Sequence, residues 1–160
     1  MVGAVGARIE WVLLAYRLPR EPSGPRVTVW RKLRRLGVAQ VLDGLVALPA
    51  DAGTREQLEW LADEVLDAGG EAWVWLGRLG SAAQERAIAR RMADAVAADY
   101  EAVLAAAAAG GGESDVVRRR MVARLRRELQ RIGRRDYFPP PEREAARAAV
   151  EDLAATVAAR

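Results

Sequence analysis

The sequence contains neither cysteine nor histidine, and each absence removes a class of chemistry. Without cysteine the chain has no disulfide, no thiolate nucleophile and no thiolate metal ligand. Without histidine it lacks the commonest general base and the commonest transition-metal ligand, which excludes histidine-based catalytic triads and histidine–zinc sites. The run of three glycines at 110–112 lacks the lysine and the spacing of a phosphate-binding loop. We therefore expect a protein that is not an enzyme and that carries no cofactor and no metal ion.

Long apolar runs are also missing. The first 18 residues hold a short apolar run that is interrupted by Arg8, Glu10 and Arg17, which is not the pattern of a signal peptide. No run approaches the roughly 18 apolar residues of a membrane-spanning helix. We expect the protein to lie in the cytoplasm and to have no membrane partner.

Charge is present in abundance but is distributed unevenly. The net charge of the 160 residues is only +3, and Lys32 is the one lysine among 25 basic residues. Residues 17–35 contain seven basic residues and one acid, residues 51–71 seven acids and one arginine, and residues 118–135 nine arginines and one acid. Because a GC-rich coding sequence by itself favours arginine and alanine, the blocks are more informative than the arginine total.

Apolar periodicity in the first half predicts the order strand, helix, strand, strand, helix, strand. The predicted ranges are 9–16, 25–36, 38–42, 45–48, 54–68 and 71–76. Asp43-Gly44 between the two short strands is typical of a tight hairpin, and the first strand is apolar on both faces, which indicates a central position in the sheet. This order predicts an α+β protein with a ferredoxin-like βαββαβ core over residues 7–79.

The second half lacks strand patterns and predicts three helices, at 81–109, 114–132 and 142–159. Three glycines separate the first two helices, and three prolines separate the last two. We expect residues 80–160 to form a helical C-terminal extension that packs on the core, with a glycine-rich break at 110–113.

Two of the predicted helices divide into an apolar side and an arginine side. In helix 114–132, Val122, Leu125, Leu129 and Ile132 fall within about 80° of one another around the axis. An arginine face can bind the phosphates of DNA, with a solvated surface as the alternative. Trp30, beside the basic residues of the first helix, is expected in the core rather than as a base-stacking platform. The candidate DNA-binding residues are Arg31, Lys32, Arg34, Arg35, Arg119, Arg120, Arg126, Arg127 and Arg131.

The loop after the first strand brings three arginines and a hydroxyl close to the start of a helix, where backbone amides favour negative charge. The candidate oxyanion-binding residues are Arg17, Arg20, Ser23 and Arg26, and their ligand would be a dianion such as sulfate or chromate. The alternative is a rigid connector whose arginines pair with the acidic segment.

The acidic helix has carboxylates at helical-neighbour spacing, which suits either a divalent metal ion or a solvated face that matches the arginines. The second interpretation is favoured, since no calcium-binding loop pattern is present. The carboxylates are those of Glu56, Glu59, Asp63, Glu64 and Asp67.

Several segments together resemble the N-terminal domain family of ChrB. They are WVLLAYRLPREPS at 11–23, VWRKLRRLG at 29–37, the Asp43-Gly44 hairpin, GGEA at 69–72, Asp99-Tyr100 and IGRRDYF at 132–138. The resemblance covers about residues 9–155. It implies a chromate-resistance protein that acts as a chromate-responsive transcription regulator, binding promoter DNA through basic residues.

The family is similar to the Cas2-like domain of PaaX-type repressors, which implies a ferredoxin-like fold and a homodimer that pairs through its sheets. Nucleases with this domain place an aspartate at the end of the first strand, where this chain has Ala15-Tyr16-Arg17, so a metal-dependent nuclease is not implied. Longer members carry a second, C-terminal domain that this sequence does not include, so chromate sensing is expected only if the first domain suffices. The alternative function is a non-enzymatic scaffold with residues 81–160 as its docking surface.

Overall fold

The computed structural model describes residues 8–158. The predicted start of the core at residue 7 and the predicted end of the last helix at Ala159 lie outside these residues. The chain forms two compact units, Met1–Arg91 and Met92–Arg160, and the boundary between them falls within a helix. Within residues 8–158, no helix is both long enough and apolar enough to cross a membrane.

The first unit contains a four-stranded antiparallel sheet and two helices. Its strands stand in the order β2-β3-β1-β4, so that β1 and β3 are central. This arrangement confirms the predicted α+β class, the ferredoxin-like element order and the central position of the first strand. The elements are β1 (Trp11–Arg17), α1 (Gly24–Leu36), β2 (Ala39–Leu42), β3 (Leu45–Pro49), α2 (Ala52–Asp67) and β4 (Glu71–Gly77).

Burial on one face of the sheet fixes the position of β1. Val12 and Leu14 are fully buried, and their register partners in β3, Leu48 and Val46, are fully buried as well. Each of these side chains contributes roughly 1.5–3 kcal/mol when it is removed from water. Because α2 packs against both β1 and β4, this apolar face forms the core of the first unit.

A capping box starts α2 two residues earlier than the periodicity predicts. The backbone N–H of Thr54 donates to Asp51 Oδ1 at 2.7 Å, and the backbone N–H of Asp51 donates to Thr54 Oγ1 at 2.9 Å. The Thr54 hydroxyl also donates to the carbonyl of Pro49 at 2.7 Å. These bonds satisfy amide groups that have no partner inside the helix, so the helix begins at Ala52.

Two residues that the sequence places in the core are exposed. Trp30 is 51% exposed, and the Arg34 guanidinium lies 4.9 Å from its ring centroid. This cation–π contact stabilises an indole at the surface, so the expectation of a core tryptophan is wrong. Leu66 is 52% exposed, because the buried stripe of α2 is already supplied by Leu58, Leu61 and Val65.

The second unit is helical. Helix α3 (Ala82–Ala109) begins in the first unit and continues into the second, where a short 3-10 turn (Gly110–Gly112) leads to α4 (Asp115–Gly133) and α5 (Glu142–Ala158). The predicted stripe of α4 is buried at Val122, Leu125 and Ile132, with Leu129 partly buried beside them. The glycine break is packed rather than loose at its first residue, since a Cβ on Gly110 would lie 2.9 Å from Leu153 Cδ2.

The β2–β3 hairpin depends on the absence of a side chain at Gly44. This residue has a φ of 73°, and a Cβ there would lie 2.5 Å from the carbonyl oxygen of Tyr16. We expect Gly44→Ala to lower the free energy of unfolding by about 1–3 kcal/mol, the cost of strained backbone. Urea unfolding followed by far-UV circular dichroism measures the change.

Gly24→Ala is the matched control, since no atom lies within 4 Å of the added Cβ and its backbone is not left-handed. This variant should keep the urea midpoint of the parent chain. Equal midpoints for the two variants would contradict the steric account of Gly44.

Candidate functional site

The loop that follows β1 borders a cavity in the first unit. Its volume is about 1010 Å³. The four candidate oxyanion residues of the sequence, Arg17, Arg20, Ser23 and Arg26, all lie in its wall. The structure therefore brings together every member of that predicted set. The other lining residues are Tyr16, Leu18, Val27, Trp30, Gln40, Asp43 and Gly44.

Local hydrogen bonds set the shape of the cavity wall. The backbone N–H of Tyr16 donates to the carbonyl of Gly44 at 2.8 Å, which ties the end of β1 to the hairpin. The backbone N–H of Val27 donates to the carbonyl of Ser23 at 3.2 Å and closes the first turn of α1. Since the Ser23 side chain makes no capping bond to the helix, its hydroxyl remains available to a ligand.

The charges of the wall are only partly compensated. Arg17 Nη2 lies 2.6 Å from Glu71 Oε2, so the connector interpretation holds for this arginine. In the part of the chain that the structure describes, Arg20 and Arg26 form no ion pair. Asp43 is the one carboxylate among the described lining residues, so with Arg17 compensated by Glu71 the wall keeps a small positive excess from Arg20 and Arg26.

Two aromatic rings complete the wall. Burial raises the pKa of Tyr16, the Asp43 carboxylate raises that pKa further, and Arg26 opposes the change. Tyr16 therefore stays protonated at neutral pH and can donate a hydrogen bond. Trp30 adds an indole of which about half is exposed.

The basic residues of α1 are not equivalent. Lys32 pairs with Glu64 of α2, and Arg34 lies over the Trp30 ring. Within residues 8–158, Arg31 and Arg35 have no ion pair, and both are exposed one helical turn apart. Among the candidate DNA-binding residues of α1, these two can meet an external anion without giving up a carboxylate or an aromatic contact.

The arginines of α4 divide in the same way. Arg126 donates from Nε and Nη2 to Glu151 of α5 at 2.9 and 2.6 Å, and these bonds lower the pKa of Glu151. Arg131 pairs with Glu128 one turn earlier. The remaining candidates, Arg119, Arg120 and Arg127, are exposed and have no ion pair among the described residues.

Arg124 belongs to this surface but is absent from the candidates found in the sequence. Arg120, Arg124 and Arg127 follow at i, i+4 and i+7, and they share the side of α4 opposite to its buried stripe. Arg124 is exposed and likewise lacks an ion pair within the described range. The three form an unpaired arginine stripe about 10 Å long along the helix axis. The helical spacing that reveals Arg124 is visible in the sequence.

Two of the five carboxylates on the acidic face of α2 pair with basic side chains. Glu59 accepts from Arg55 at 2.8 Å, and Glu64 accepts from Lys32. Over residues 8–158, no three acidic side chains converge on a point where a metal ion could be held.

A polar network is buried in the second unit. The hydroxyl of Tyr100 donates to Asp136 Oδ2 at 2.8 Å, and Arg143 Nη1 lies 3.7 Å from the same oxygen. Arg135 Nη2 lies 2.6 Å from Asp99 Oδ2. Burial and the bond to Asp136 raise the pKa of Tyr100 to about 12. These contacts join α3 to the segment that follows α4.

Comparison with known proteins gives one match. The family model described as "Protein ChrB, N-terminal" matches residues 26–114, which is 89 of the 160 residues. The matched range begins at Arg26, the third residue of α1, and ends before α4 begins. Searches of curated proteins and of solved structures gave no match.

The buried network makes Tyr100 an unusually weak acid. Because its pKa is higher in the folded chain than the ordinary value of 10, the folded state holds this proton more tightly. The resulting stability is present below pH 10 and is lost as pH rises through 12, with a total of about 2.7 kcal/mol. Absorbance titration at 295 nm, taken as the difference between the parent chain and Tyr100→Phe, should show a phenol that titrates near pH 12. A difference curve centred near pH 10 would contradict the network.

Proposed function

The chain belongs to the ChrB N-terminal family, which is associated with chromate resistance, and we propose that it is a non-enzymatic transcription regulator that binds promoter DNA. The observation that carries this proposal is the unpaired arginine stripe of α4, Arg120, Arg124 and Arg127. Their guanidinium groups are exposed and spaced along one side of a helix. A row of fixed cations suits a polyanion, because each neutralised phosphate releases a condensed counterion.

Ion pairing ranks the candidate DNA contacts. An arginine held by a carboxylate must give up that partner, or share it, before it meets a phosphate. Arg126, Arg131 and Lys32 are therefore expected to contribute less than the stripe, although all three belong to the basic candidate set. Arg31 and Arg35 of α1 are unpaired within the described chain and supply a second, smaller contact.

Removal of the stripe tests DNA binding. We expect the triple variant Arg120→Gln, Arg124→Gln, Arg127→Gln to bind its upstream DNA at least tenfold more weakly at 100 mM salt. The slope of log K against log salt concentration should become less negative by about 2.7, since each lost phosphate contact removes about 0.9 from the slope. Fluorescence anisotropy of labelled DNA across salt concentrations measures both quantities.

The control for charge is a second triple variant, Arg78→Gln, Arg86→Gln, Arg90→Gln, which removes three exposed arginines that also form no ion pair within residues 8–158. It should keep a salt slope close to that of the parent. If both triple variants lose affinity equally, binding follows total charge and the stripe has no special role. If the parent chain itself fails to shift DNA at micromolar concentration and low salt, the regulator proposal is lost.

The same titration includes the ligand expected of the family. We propose that a tetrahedral dianion such as chromate binds Arg17, Arg20, Ser23 and Arg26 in the cavity and releases the DNA. Arg26→Gln should leave DNA affinity unchanged without chromate and should abolish release by chromate. If chromate still releases DNA from this variant, chromate acts at a site other than the cavity.

Two exposed tryptophans on one face of the sheet support dimerisation. Trp73 and Trp75 of β4 are 66% and 56% exposed, and their register partners in β1, Ala15 and Leu13, lie on the same face. Neighbouring exposed tryptophans of this kind are typical of a protein interface rather than of a DNA contact. We propose that a second copy covers this surface, since one patch can pair with itself about a twofold axis.

Chromatography with light scattering tests the dimer. The parent chain is expected to have twice the mass of one chain at 50–100 µM, and Trp73→Ser with Trp75→Ser to have the mass of a single chain. Trp60→Ser, which changes an indole 60% exposed on α2, is the control and should remain dimeric. A parent chain that is monomeric and acquires a different protein as partner would favour the scaffold function instead.

A further inference from the structure

The cavity beside β1 is much larger than a tetrahedral oxyanion requires. Its volume is about 1010 Å³, whereas a water molecule occupies about 30 Å³ of the liquid. A central atom with four oxygens would fill a small fraction of this space. The size lies at the upper end of the range of about 300–1,000 Å³ that is typical of sites for organic ligands.

The lining also contains groups that an inorganic anion does not use. Trp30 and Tyr16 present aromatic rings, and Arg34 covers one face of the indole while about half of the side chain stays exposed. Such rings bind planar heterocycles by stacking. Asp43 lies in the same wall, and a carboxylate is an acceptor for sugar hydroxyls or ring amino groups, which an inorganic dianion does not have.

The unpaired cations of the wall suit one phosphate monoester, which carries about −1.5 to −2 at pH 7. Arg17 is held by Glu71, so Arg20 and Arg26 are the two arginines left for the phosphate. Arg20 and Arg26 have no ion pair in the part of the chain that the structure describes, so they can bind the phosphate without breaking an existing contact.

We propose that this cavity binds a nucleoside monophosphate, with its phosphate at Arg20 and Arg26 and its base against Trp30. The proposal rests on the oxyanion site proposed above. The arginines still bind a tetrahedral dianion, which is here the phosphate of the nucleotide, and the aromatic residues bind the base to which that phosphate is linked through the sugar. It does not depend on DNA binding, which was assigned to α4.

Calorimetric titration in 150 mM salt compares the parts of the ligand. The probes are adenosine and uridine 5′-monophosphates, the two nucleosides, inorganic phosphate, chromate and a 5′-phosphorylated single-stranded oligonucleotide. At least one monophosphate is expected to bind ten times more tightly than both its nucleoside and inorganic phosphate.

Variants separate the two halves of the site. Arg26→Gln should weaken the monophosphate about 10- to 100-fold, the usual effect of a lost charged hydrogen bond. Trp30→Ala should weaken it about 5- to 100-fold, as expected for a lost stacking partner, while binding of inorganic phosphate stays unchanged. Arg90→Gln, an exposed arginine outside the cavity, is the control and should bind as the parent does. Circular dichroism checks that each variant is folded.

Each contrary result points to a different error. Equal affinity for monophosphate, phosphate and chromate would contradict the proposal of nucleotide binding but would agree with the proposal of an oxyanion site. Absence of binding for every probe at millimolar concentration would overturn both. Binding of the oligonucleotide that depends on Arg26, with no binding of the monophosphates, would make the cavity a nucleic-acid contact and overturn the proposal.

Discussion

The antiparallel pairing of β1 with β3 and β4 is the constraint on which the first unit depends. Val12 and Leu14 are buried on one face and oppose Leu48 and Val46, so a slip by one residue would move these side chains to the other face. The same register places Tyr16 beside Gly44 and Arg17 opposite Glu71. The cavity wall therefore inherits its geometry from the core, although none of its arginines belongs to that core.

The elements that the sequence predicts well are those whose signals are local. The Asp43-Gly44 hairpin, the end of α1 at Gly37 and the buried stripe of α4 each follow from turn chemistry or helical period, and the structure contains all three. The start of α2 is misplaced by two residues because the cap is a specific pair of hydrogen bonds, which apolar periodicity does not report.

Tertiary contacts explain what the sequence could not provide. Trp30 and Leu66 have the apolarity of core residues, but burial depends on whether another element covers them. The four candidate oxyanion residues were identifiable in the sequence as a loop with arginines, whereas the open cavity that they border and the contribution of Asp43 require the folded hairpin. Pairing is likewise non-local: Glu71 lies 54 positions from Arg17, and Glu151 lies 25 positions from Arg126.

Pairing separates the arginines by the kind of anion that they can bind. The cavity has a small excess of positive charge contributed by a few residues, so one anion neutralises it and further anions gain little. The stripe of α4 has the opposite character, because Arg120, Arg124 and Arg127 repeat along an exposed helix and no volume limits what they meet. Such a row favours a ligand whose charges also repeat, since each added contact releases another counterion. The two arrangements can therefore select different anions even though both are built from arginine.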